Sequence, residues 1–210
     1  MKLNTKNKTL RLVQLAMLIA VIAVLQFTGA SIPIGLVPLT FVLVPIVVGA
    51  FLLGPIDGAI LGFVFGLITV IQTPQSNILM FLFNYRPVAY VVLAILKGTM
   101  AGFLSGLIYK ALDKVFKGKF VYLRTLLASI SAPIINTGIF ALGMMMLFMP
   151  QLAAIPTSFP NVFGGYSSAV GVLFGGFILF NFIGEFLVSL VLSPAIVRIV
   201  EIIRKKFILN

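Results

Sequence analysis

The sequence contains no cysteine, no histidine and no tryptophan, and only 4 acidic residues among its 210. Without Cys or His it can form no disulfide, and it lacks thiolate nucleophiles, the usual zinc ligands and the commonest general base. Hydrolytic, redox and metal chemistry start from a poor supply of groups, so no metal or other cofactor is expected and the chain does not read as an enzyme. Charge is scarce too: 9% of residues are charged and 61% hydrophobic, with a mean hydropathy of +1.22. A soluble domain carries about 25% charged residues, so a water-soluble globule of this composition would have no polar surface to show. The chain reads as an all-α integral membrane protein.

What is present is a series of long apolar runs. A spanning helix needs roughly 20 mostly apolar residues, and the alternating ten-residue pattern of a membrane barrel is absent. Six spans are expected, at about 9–30, 37–54, 57–73, 87–112, 121–149 and 170–203, within one domain covering 1–210. Gly54-Pro55 leaves almost no loop between the second and third, which makes them an antiparallel pair. The basic segment before the first span resembles the start of a signal peptide. The apolar run continues to full spanning length, however, and Gly29, Ala30 and Ser31 make a poor cleavage site, so a retained helix is expected.

The net charge of +11 would suggest a nucleic-acid partner in a soluble protein. Here Lys2, Lys6, Lys8 and Arg11 precede the first span, Lys110, Lys114, Lys117, Lys119 and Arg124 fill the fourth connection, and Arg198, Arg204, Lys205 and Lys206 close the chain. With six spans the three clusters share a face, which the positive-inside rule makes cytoplasmic, so both termini are expected inside a multi-pass cell-membrane protein with no nucleic acid to bind. The opposite connections, 28–37, 74–87 and 150–169, are neutral apart from Arg86 and rich in Pro, Gly, Ser, Thr, Asn and Gln, as substrate lids would be.

A charge out of this pattern asks for a function. Arg86, in Asn84-Tyr85-Arg86-Pro87 at the outer mouth, is placed to clamp a carboxylate or phosphate, with hydroxyls and ring faces from Tyr85 and Tyr90, or else to anchor the helix at headgroup level. Lys97 lies about 15 Å along the fourth span and Glu185 is similarly deep in the sixth; they either neutralise each other or Lys97 contacts substrate. Asp57 most simply caps the third helix. Asn136, Thr137 and Asn181 are amides and a hydroxyl inside apolar runs, able to read a polar ligand or to bond neighbouring helices. Glycines at spacing four, Gly58, Gly62 and Gly66 and then Gly98, Gly102 and Gly106, read as packing ladders. Ala16, Ala20 and Ala23 form a smooth face on the first helix suited to packing inside the bundle or against another subunit.

The chain has no phosphate-binding Gly-x-x-x-x-Gly-Lys-[Ser/Thr] loop and no run of membrane carboxylates for a proton relay. A stand-alone secondary transporter or a lipid-modifying membrane enzyme is correspondingly disfavoured. Six helices with basic ends, Ala16-x-x-x-Ala20, the Gly54-Pro55-Ile56-Asp57-Gly58 turn, and Lys97-Gly98 followed by Gly102 and Gly106 together resemble the S components of energy-coupling factor (ECF) transporters, vitamin importers related to ABC transporters. The resemblance implies a small-molecule vitamin bound near the outer side under the loop after the first helix. It also implies docking through Ala16, Ala20 and Ala23 onto a transmembrane coupling subunit driven by two ATPases. Asn84-Tyr85-Arg86-Pro87 and the Pro133–Phe140 segment are most similar to the pantothenate-type branch, with Arg86 for the carboxylate and Asn84 and Asn136 for hydroxyls and amide. Riboflavin, folate, hydroxymethylpyrimidine and pyridoxine types are the alternatives.

Overall fold

The computed structural model describes residues 5–29, 41–116 and 120–207. They form helices α1 (Thr5–Gly29), α2 (Leu43–Leu52), α3 (Pro55–Gln72), α4 (Asn77–Tyr85), α5 (Pro87–Val115), α6 (Val121–Leu147), α7 (Met149–Ser158), α8 (Pro160–Phe163), α9 (Ala169–Gly171) and α10 (Leu179–Phe207), with no strand among the described residues. A π-helical stretch, Val172–Ile178, joins α9 and α10 into one rod. Among the described residues five helices are long and apolar enough to cross a membrane, and α2 is a shorter sixth apolar helix of 10 residues. The first part of the expected second span, and most of the loop expected as a lid after the first, lie outside the described residues.

The glycine ladders explain how the centre is held. Gly58 of α3 faces Gly102 of α5, Gly62 faces Gly98, and Gly66 faces Ile95, so the two helices run antiparallel and in backbone contact. A Cβ on Gly66 would stand 2.6 Å from the Ile95 Cα, and one on Gly106 2.8 Å from the Pro55 Cα, closer than any side chain tolerates. In lipid, where helices gain nothing by hiding apolar surface from one another, such close approach is the main source of association. Gly54 turns the chain between α2 and α3 at φ 120°, a conformation L side chains rarely adopt. Ala50 then packs on Gly58, giving the antiparallel pair the sequence predicts.

Helix α1 runs parallel to α3, joined to it by polar contacts with the same sequence offset of 46. Near one end Arg11 donates from Nε and Nη2 to the Asp57 carboxylate at 2.9 and 2.8 Å; near the other Gln26 Nε2 donates to Gln72 Oε1 at 2.9 Å. Asp57 therefore does not cap α3 with its side chain as expected. It sits in the first turn, buried, and serves as the anchor for Arg11, whose charge does more than set orientation. Arg124, counted among the loop cations, is likewise buried near the start of α6, paired with Asp113 and set over the Tyr109 ring.

The segments 74–87 and 150–169 differ most from the expected loops. They carry α4, α7 and α8, short helices that bring Leu82, Leu152, Ile155 and Phe163 into one apolar cluster with Tyr90, Leu93, Met144, Phe148 and Phe177. Their Pro and Ser residues start these helices: Ser76 accepts the Leu79 N–H as N-cap, and Pro150 and Pro160 occupy first-turn positions. This cluster closes the end of the bundle opposite the basic starts of α1 and α6.

Candidate functional site

Beneath that cluster, α3, α4, α5, α6, the π-helical stretch and α10 surround a cavity of about 80 Å³. Its polar lining consists of Thr69, Tyr90, Lys97, Asn136, Thr137 and Asn181, and its apolar walls include Leu79, Leu93, Phe140, Met144 and Phe177. Tyr90 and Lys97 project from α5, whose other side is closed against α3 by the glycine seam. The Tyr90 hydroxyl is held by Thr73 at 3.1 Å, and the Thr73 hydroxyl also lies 3.2 Å from the Thr69 carbonyl.

Lys97 is the cation of the lining. Its Nζ lies 5.1 Å from the Phe140 ring centroid and 5.6 Å from that of Phe65, a cation–π setting in which the ammonium is partly relieved of its dehydration. Glu185 of α10 attracts it electrostatically and accepts a hydrogen bond from Asn136 Nδ2 at 3.3 Å. In the same lining Asn136 Oδ1, Thr137 Oγ1 and Asn181 Oδ1 are buried without a hydrogen-bond partner among the described residues. A buried acceptor left unmade costs about 1–3 kcal/mol. Three of them lining one cavity beside an ammonium are what a ligand with an anionic end and several donors would satisfy.

Of the residues singled out from the sequence, Tyr90, Lys97, Asn136 and Asn181 meet at this cavity. Asn84, Tyr85 and Arg86 do not line it. They are exposed at the corner between α4 and α5, with the Arg86 guanidinium 5.2 Å from the centre of the Tyr85 ring. Ala16 and Ala20 are exposed on α1, in a stripe with Leu12, Val13, Met17, Val21 and Val24, whereas Ala23 is partly buried against the core of α2 and α3. Leu79 and Phe177 also line the cavity, and nothing in the sequence marks them as doing so. The π-helical stretch carries Phe177 and Ile178 into the cavity, and π-helical turns gather at functional sites.

Residues 10–197 match the family model for the ECF transporter, substrate-specific component, so the chain belongs to that family and is a multi-pass membrane component of a transporter. Among curated proteins none matches it closely enough to lend it a substrate.

Proposed function

From that membership, we propose that this protein is the S component for a vitamin of pantothenate type, captured from outside the cell and released inside after docking on a coupling subunit and two ATPases. The observation that carries the reading is the cavity chemistry: one ammonium, Lys97, sharing a lining with the unpaired acceptors of Asn136, Thr137 and Asn181. Pantothenate brings a carboxylate for the first and hydroxyls and an amide N–H for the others.

In this reading the carboxylate role first assigned to Arg86 passes to Lys97, and Arg86 remains a mouth residue one turn before Tyr90. Small-molecule pockets generally enclose at least about 300 Å³, so the walls draw apart to admit the solute. Leu79 on the short helix α4 and Phe177 on the π-helical stretch are the parts least tied into the glycine seam. The chain acts as a single domain with α2 as a sixth span, its basic ends cytoplasmic by the positive-inside rule, and Ala16 and Ala20 form the docking face.

Titration of the purified protein with a panel of labelled vitamins tests the assignment. Binding of pantothenate at nanomolar to micromolar concentration, ahead of riboflavin, folate, hydroxymethylpyrimidine and pyridoxine, is expected; preference for another member of the panel would replace the substrate.

A further inference from the structure

Glu185 is buried in the apolar body of α10, yet it does not line the cavity. Its carboxylate accepts from Asn136 Nδ2. An ionised carboxylate offers only acceptors, so the Asn136 amide nitrogen has to face it and the amide cannot turn over without bringing two oxygens together. That leaves Oδ1 of this cavity-lining residue, which is buried and has no hydrogen-bond partner among the described residues. Among the described residues no hydrogen bond fixes Asn181 or Thr137 in this way: an amide can flip and a hydroxyl both donates and accepts.

We infer that Glu185 is a positioning residue that fixes the polarity of Asn136, so that the site presents a carbonyl oxygen near Lys97 and selects solutes carrying an O–H or N–H donor close to their anionic group. Phe140, four residues after Asn136 on the same face of α6, places Lys97 on that side of the helix. A solute with an acceptor at this point would set oxygen against oxygen. Glu185 thereby acts on specificity through Asn136, separately from its attraction for Lys97. The inference rests on reading the cavity as the solute site, and the test separates the two.

The test is a double-mutant cycle on the full-length protein, comparing wild type with Glu185→Ala, Asn136→Ala, the double variant and Glu185→Gln, using labelled pantothenate as probe and the unfolding midpoint without solute as a second readout. Loss of one hydrogen bond weakens binding about tenfold, so each alanine variant is expected to fall by ~10-fold and the double variant to fall no further than Asn136→Ala. Glu185→Gln keeps an acceptor but can also turn its NH2 toward Asn136, so it should recover part of what Glu185→Ala loses. A double variant ~100-fold weaker, or Glu185→Gln as weak as Glu185→Ala, would overturn the positioning role in favour of a purely electrostatic one. If wild type binds no pantothenate, the substrate reading falls, and the cycle in unfolding midpoints still decides: non-additive losses uphold the Glu185–Asn136 coupling and additive ones overturn it.

Discussion

The two faces of α5 are built on opposite principles. On one, Gly98, Gly102 and Gly106 bring the helix backbone against α3 so closely that a single Cβ has no space. On the other, Tyr90, Lys97 and their neighbours border a cavity whose far wall, on α6 and α10, holds buried polar atoms without partners. Packing is fully satisfied on the first face and left incomplete on the second. A membrane protein gains little by tolerating unmade hydrogen bonds unless something else makes them. The seam gives Lys97 a rigid origin, and the incomplete wall supplies the capacity to bind.

Variants should separate the two faces sharply. The largest effect is expected at the seam: Gly62→Leu would drive a side chain into the Gly98 backbone, and backbone overlap should cost at least ~3 kcal/mol, seen as loss of monodisperse protein in detergent chromatography. Next, Ala16→Trp or Ala20→Trp on the exposed face of α1 should abolish vitamin uptake by cells while leaving binding by the purified protein intact; normal uptake would move the docking face elsewhere. Arg11→Ala strands the buried Asp57. Because Arg11 is 45% exposed, the loss should be about 1–2 kcal/mol, or ~4 °C in the unfolding midpoint, with solute affinity unchanged. The smallest effect is expected for Arg86→Ala, exposed beyond the cavity, which should shift affinity by no more than ~3-fold in a binding titration. A larger shift would return Arg86 to the binding site.

Much of this contrast is legible in the sequence, for physical reasons that vary by residue. Gly58, Gly62 and Gly66 announce a contact face because small residues at helical spacing have few other uses in lipid, but their pairing with Gly98 and Gly102 needs the fold. Lys97, Asn136 and Asn181 stand out because polar groups inside apolar runs are costly. Arg86 stands out by the same reasoning, yet charge at a helix start does not say which way the side chain points. Leu79 and Phe177 are invisible beforehand, since an apolar cavity wall has the composition of a core. The segments 74–87 and 150–169 read as loops because Pro, Ser and Asn mark breaks, and the same residues also begin the short helices α4, α7 and α8. Asp57 reads as a cap because its position in the first turn is visible and its partner 46 residues earlier is not.

The most direct test of the cavity as the solute site is a pantothenate titration of Lys97→Met, which preserves length and apolar volume while removing the ammonium. Truncating one side of a buried charge pair costs about 2–5 kcal/mol. Affinity at least ~30-fold below wild type, with the unliganded variant still folded and monodisperse in detergent, is the expected result. Undiminished binding by Lys97→Met would contradict the assignment and place the anionic end of the solute elsewhere.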